Sequence, residues 1–158
     1  MIRIVACGTL KEKWMKEACQ DYTKRIQNYE AIEVVEVEDE KASEKNSDAQ
    51  NEMVKEKEGQ RILKRIKEDE YVILLDLAGK PMDSIHLAQH LEQLPVYGHS
   101  RVTFVIGGSL GVSKALIARA NLRWKLSDNT FPHQLCRIFV LEQIYRSFKI
   151  RRNEPYHK

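Results

Sequence analysis

A chain of 158 residues with a net charge of +3, 42% hydrophobic and 31% charged residues, has the mixture of a soluble globular protein and reads as one domain over residues 1–158 with a real core. No apolar run approaches the ~20 residues that cross a bilayer, and MIRIVACGTLKEKW holds too short an apolar stretch for a signal peptide, so a cytoplasmic protein without a membrane partner is expected. Cys7, Cys19 and Cys136 are odd in number and far apart, with no C-x-x-C, which argues against a disulfide framework or a thiolate zinc site.

The apolar run Met1 to Cys7 stops at Gly8 and predicts a first strand. Over 11–29, Trp14, Ala18, Tyr22 and Ile26 recur at helical spacing. Ala31 to Val37 alternates and is β-branched, which predicts a second strand. Residues 38–51 are polar without periodicity and read as a long loop, followed by a helix from Met53 to Asp69. Tyr71 to Leu77 is a strand ending at Ala78-Gly79, and Asp83-Ser84 caps a helix through Leu94. Val102 to Ile106, Ser113 to Ala120, Leu122 to Leu126 and Gln134 to Ile150 continue the alternation as strand, helix, strand and long helix. The fold class is therefore α/β, a mostly parallel sheet with helices on both faces.

Ligands of open α/β sheets bind at the carboxyl ends of the strands. Three segments fall there: LDLAG (75–79), IGGSLG (106–111) and LSDNTFPHQ (126–134). If neighbours, their loops make one pocket, with Gly107-Gly108 offering bare backbone. Neither G-x-G-x-x-G nor G-x-x-x-x-G-K-[ST] is present. His86 and His90 share a helix face but lack the glutamate of H-E-x-x-H and a third ligand, so they read as an exposed helix face and no metal is expected. A triad of Ser109 and His133 lacks the G-x-S-x-G context. Taken alone, Ser127 to Thr130 reads first as a helix N-cap loop; its polar main chain beside an apolar wall also suits an adenine ring.

From Leu135 to Phe148 the helix is apolar on more than one stripe, which points to a subunit interface, most simply a two-fold dimer. Glu142 and Arg146 form an i,i+4 pair. From Arg137 to Lys158, six basic side chains (Arg137, Arg146, Lys149, Arg151, Arg152, Lys158) face two acidic ones (Glu142, Glu154), a surplus of four that leaves −1 on the other 136 residues. Beside those arginines, Tyr156 and His157 add a stacking ring and an imidazole, the combination that grips an unstacked RNA base. A frayed terminus is the plainer alternative.

VIGGSLG, LSDNTFPHQ, LEQIYRSFKI and NEPYHK, in this order, resemble the large-subunit ribosomal RNA methyltransferase H family of the SPOUT superfamily, and the opening IRIVACGTLKEKW and the acidic loop resemble it too. The resemblance covers essentially the whole chain. It implies a C-terminal trefoil knot, a homodimer, S-adenosylmethionine as cofactor, and methylation of N3 of a pseudouridine in helix 69 of 23S rRNA in the assembled ribosome. It places cofactor contacts on Leu75, Gly107, Leu126, Ser127, Asp128, Asn129, Thr130 and Phe131. It places the catalytic neighbourhood on Glu142, Arg146, Tyr156 and His157, the tail coming from the partner subunit. Asp128-Asn129 departs from the family pattern, which matters only if a side chain there packs the adenine. His157 or Glu142 would be the general base, and Arg146 would stabilise charge on the base carbonyls. With only +4 at one end, a grip by shape on a large particle is expected rather than tight binding to free RNA. A non-catalytic ribosome-binding protein is the alternative reading.

Overall fold

The five apolar runs become five strands in a computed structural model that describes residues 1–158. The strands are β1 (Ile2–Cys7), β2 (Ile32–Val37), β3 (Tyr71–Pro81), β4 (Val102–Ile106) and β5 (Leu122–Lys125). They form a single sheet in the order β2-β1-β4-β3-β5, and every neighbouring pair is parallel. The helices are α1 (Lys13–Gln27), α2 (Asp48–Leu63), α3 (Ser84–Gln93), α4 (Lys114–Arg119) and α5 (His133–Arg151). The alternation of β1 explains how both faces are covered. Ile2, Ile4 and Ala6 pack with Leu87 of α3 and Val140, Leu141 and Ile144 of α5, while Val5 and Cys7 pack with Ile62 of α2 and Leu116 of α4. Central strand β4 is buried along its whole length.

Three boundaries differ from expectation, each for a local reason. Helix α2 begins at Asp48, inside the stretch read as a loop. Ser47 caps it: its hydroxyl accepts from the Gln50 N–H, and the Gln50 side chain accepts from the Ser47 N–H. This capping box starts the helix before its apolar face begins. The same helix ends at Leu63 rather than Asp69, because arginines take the carbonyls beyond it: Arg3 bonds Arg65 O, and Arg119 bonds Lys67 O and Glu70 O. Strand β3 runs past Gly79 to Pro81 through a register shift between Leu75 and Lys80. A Cβ on Gly79 would lie 2.6 Å from Arg123 O, so this close crossing needs glycine. Asp76, where the shift begins, is tied to Arg123 of β5 at 2.7 Å.

A buried ion pair holds the amino ends of three strands. Arg3 of β1 donates to both oxygens of Glu70 at 2.7 and 2.8 Å, and Thr103 of β4 donates to Glu70 Oε2 at 2.6 Å. Helix α5, which follows edge strand β5, crosses back to lie against both α1 and α3. Most of its apolar surface is thus covered within the chain, and only Phe139 stays exposed, so the multi-striped pattern has an intrachain cause.

Candidate active site

The three strand ends do meet. Leu75 to Leu77, Ile106 to Val112, Trp124, Leu126, Ser127 and Asn129 to Gln134 line one cleft of about 720 Å³. The family-implied positions Leu75, Gly107, Leu126, Ser127, Asn129, Thr130 and Phe131 all border it. Asp128 does not. Its carboxylate turns out toward Lys125, which holds it below the usual carboxylate range, and it borders a neighbouring groove. The departure is thus divided: Asp128 lies off the cleft wall, while Asn129 is part of it. Asn129 N–H donates to the Ser127 hydroxyl at 3.0 Å, which shapes the loop. The loop does not cap α5: Pro132 is the N-cap and no side chain bonds the first turn, so the helix start keeps main-chain donors without a side-chain partner.

The glycines are demanded by the protein atoms around them. A Cβ on Gly107 would sit 3.0 Å from Gly111 O, and one on Gly108 would sit 2.6 Å from Glu58 Oε1. Gly111 adopts φ +101° where Gly111 N–H bonds Gly108 O at 3.1 Å, a turn that favours glycine. His133 points Nε2 toward Gly8, where a Cβ would be 3.3 Å away, and it shares no hydrogen bond with Ser109. His86 bonds Asp83 at the surface, whereas His90 packs against Tyr71, not in open solvent as expected. No group of three or more His, Cys, Asp or Glu side chains is placed to hold a metal, and no helix is long and apolar enough to cross a membrane.

Burial, then the charge of Arg137, holds the His133 imidazole below its ordinary pKa, with Glu58 and Asp39 opposing; burial alone lowers His90. The unfolded chain binds these protons near pH 6.5 and the folded chain only further into acid, so their contribution to stability is complete above that value and is lost as pH falls below it. The melting temperature is expected to drop between pH 7.5 and 5.5, and to drop less in His133→Gln; equal drops in both would refute the assignment to His133.

The second set of expected residues gathers elsewhere. Glu142 Oε1 accepts from Arg146 Nε at 2.9 Å and Nη2 at 2.5 Å, and from the Tyr156 hydroxyl at 3.1 Å. The Arg146 guanidinium lies over the Tyr156 ring, 4.8 Å from its centroid, and Nη1 is 3.0 Å from His157 Nδ1. A guanidinium only donates, so Nδ1 accepts and Nε2 carries the proton. Burial pushes the Tyr156 phenol up, with Tyr22 and Glu142 adding to it, so Tyr156 acts as a donor. The tail is not frayed. Asn153 turns at φ +53°, Glu154 accepts from Lys149 and Tyr29, both at 2.7 Å, and Tyr156 packs edge-on against Tyr145. At 1.5 Å of rise per residue, Glu142 and Arg146 stand roughly 9 and 15 Å along α5 from the cleft-lining Cys136. One chain thus carries a cleft and a polar cluster that its own geometry keeps apart.

Arg137, counted above with the basic end, is buried at 2% exposure, bonded to Glu36 at 2.7 Å and Gly8 O at 3.0 Å. With Arg146 and Lys149 paired as well, the outward cations of this end are Arg151, Arg152 and Lys158. Two buried residues went unmarked in the sequence. Trp124 lines the cleft with an Nε1–H that has no acceptor, and Glu58 lies beneath Gly108. The signal for Glu58 was the spacing Val54, Glu58, Ile62, which puts it on the buried stripe of α2.

A wholly parallel sheet whose strand ends make an apolar, main-chain-walled cleft of nucleoside size, without a phosphate loop, defines a nucleoside-cofactor enzyme of the α/β class. A sequence model described as "Predicted SPOUT methyltransferase" matches residues 1–157. The chain is 50% identical to a protein of Ruminiclostridium cellulolyticum, 48% to one of Clostridium acetobutylicum and 49% to one of Bacillus pumilus, each over 157 residues and 99% of both chains. All three are named "Ribosomal RNA large subunit methyltransferase H". The chain belongs to this SPOUT methyltransferase family, an enzyme family that uses S-adenosylmethionine. The cleft fits that group: Leu75, Ile106, Leu126 and Phe131 would wall an adenine, and Gly107 and Gly108 leave main chain bare beside it.

Proposed function

We propose that this protein transfers the methyl group of S-adenosylmethionine to ribosomal RNA of the large subunit, at N3 of a pseudouridine in the helix 69 loop of the assembled ribosome, in the cytoplasm. The observation that carries the proposal is the meeting of Leu75, Gly107 and Thr130 in one cleft, in a chain half identical over its full length to proteins named for this reaction class. When bound, the cofactor supplies an already activated methyl. The chain's own work is alignment, removal of the N3 proton and exclusion of water. The wall from Leu126 to Phe131 holds the adenosine, while Arg146 grips a carbonyl or phosphate of the target base.

The proposed active unit is a homodimer. The exposed Phe139 and the half-buried Phe131 edge-on to it offer apolar surface at the cleft end of α5, and two copies bring one chain's polar cluster to the other's cleft. In the intrachain arrangement His157 Nδ1 already accepts from Arg146, so His157 takes the N3 proton only if the tail releases that contact on meeting the RNA. Glu142 Oε2 accepts a single bond, from Gln143, and keeps acceptor capacity for a proton without such a release. The trefoil knot belongs to the same proposal, supported by the return of α5 from edge strand β5 to the middle of the helical layer. The test is mass spectrometry of 23S rRNA from cells lacking the gene. Loss of one methyl from the helix 69 pseudouridine is expected, and an unchanged modification pattern would overturn the target.

A further inference from the structure

Glu58 is 4% exposed, yet it is the one buried carboxylate with an oxygen left unbonded. Its Oε2 accepts from the Cys7 thiol and the Glu40 N–H, both at 3.1 Å. Its Oε1 has no partner. The group presses against Gly108 so closely that a Cβ there would lie 2.6 Å from Oε1 and 2.8 Å from Oε2. Gly108 itself borders the cofactor cleft. A single layer of main chain, without a side chain, separates this carboxylate from the cleft.

Packing alone does not account for an acid here. The position lies between Val54 and Ile62 on the buried stripe of α2, where an apolar residue would avoid the cost of burying a charge. Nor does a protein cation neutralise it. Arg137 is bonded to Glu36, Arg61 is bonded to Glu40, and burial disfavours the charged form of His133. The acidic neighbour Asp39 adds to the negative field, as its influence on Cys7 and His133 shows. The carboxyl group under Gly108 therefore has no counter-ion within the chain, and a cation in the cleft would supply one.

We propose that Glu58 is a charge-selecting residue that makes the cleft prefer the cationic donor over its neutral product. The donor carries a sulfonium; the demethylated product, S-adenosylhomocysteine, carries a neutral thioether. Their adenosine and amino-acid parts are the same, so only that sulfur differs in charge. A carboxylate behind bare glycine backbone stabilises a sulfonium in the cleft, the sulfonium in turn favours the ionised form of the acid, and a thioether does neither. After methyl transfer this attraction disappears, which favours release of the product. The inference rests on the assignment of the cofactor and is independent of the RNA target.

Calorimetry of the full-length protein tests it with three probes: S-adenosylmethionine, S-adenosylhomocysteine, and sinefungin, an unreactive analogue bearing an amine at the methyl position. In Glu58→Gln, affinity for the two cations is expected to fall about tenfold, with the neutral product changed less than about twofold. Equal losses for all three would reduce Glu58 to a structural role and overturn the proposal, as would no loss at all. If Glu58→Gln does not fold, Glu58→Asp draws the charge back by one methylene and is expected to narrow the preference for the cations roughly threefold. An unchanged preference in that variant would also overturn it. Failure of both cations and product to bind the wild-type protein would instead refute the cofactor assignment.

Discussion

A chain ending at Glu154 is expected to lose methyl transfer by at least about a hundredfold while binding S-adenosylmethionine within about twofold of the full-length protein. The deletion of 155–158 removes the Tyr156 hydroxyl from Glu142, the Tyr156 ring from beneath the Arg146 guanidinium and the imidazole from Arg146. None of those atoms borders the cleft around Gly107 and Thr130. An effect confined to the turnover number marks interactions made in the transition state, whereas a raised cofactor KM would mark loss of the cleft. General base catalysis and alignment are each worth factors of about 10² or more, so their joint loss sets the size. Transfer of labelled methyl to ribosomes lacking the modification measures the first quantity and calorimetry the second. Full activity in the truncated chain would refute a role for the tail. Mixing truncated subunits with Gly107→Val subunits adds a sharper arm. If one subunit's tail serves the other's cleft, the mixture recovers activity that neither variant shows alone.

The sheet was legible in the sequence because each central strand is a mostly apolar run, broken by a single polar residue in its buried part (Arg3, Asp76, Thr103) and bounded by glycine, polar or proline stops. Val102 to Ile106 is such a run and is buried throughout. The three cleft segments were legible for the same reason, since parallel strands place their carboxyl ends on one side. What local pattern cannot carry is close approach. Glu58 looks like a solvated member of E-K-E until Gly108 is found against it. Arg137 looks like part of a basic end until Glu36 and the Gly8 carbonyl are found around it. In both, the partner lies far away in sequence, 50 residues along for Glu58 and 101 for Arg137. The start of α2 was hidden differently, because a capping box needs only Ser47 and Gln50 and no apolar period. The extension of β3 beyond Gly79 depended on a crossing with Arg123 that no pattern within β3 announces.

The largest loss of stability is expected from Glu70→Ala. The carboxylate is 1% exposed at its side chain and bonds Arg3, itself 12% exposed, and Thr103. Removing the acid leaves a nearly buried guanidinium with only Glu33 and the Arg65 carbonyl. Breaking one side of such a pair costs about 3–5 kcal/mol, because the other charge stays desolvated. At this chain length that corresponds to a fall in melting temperature of roughly 6–20 °C. Replacing both members by apolar residues, Arg3→Met with Glu70→Leu, should recover much of the loss, since the penalty lies in a desolvated guanidinium left with only the half-exposed Glu33 as counter-charge rather than in the missing bond. Scanning calorimetry of the single and double variants decides this; a double variant as unstable as the single would refute it. The pair also sits where it can do this without touching chemistry. Arg3, Glu70 and Thr103 lie at the amino ends of β1, β3 and β4, whereas Leu75 lies just past the point where β3 stops pairing with β4 and Gly107 just beyond the carboxyl end of β4. Well below its melting point, Glu70→Ala should therefore bind S-adenosylmethionine as the unmodified chain does, and a loss of affinity in the folded variant would mean that strand register at one end of the sheet controls the cleft at the other.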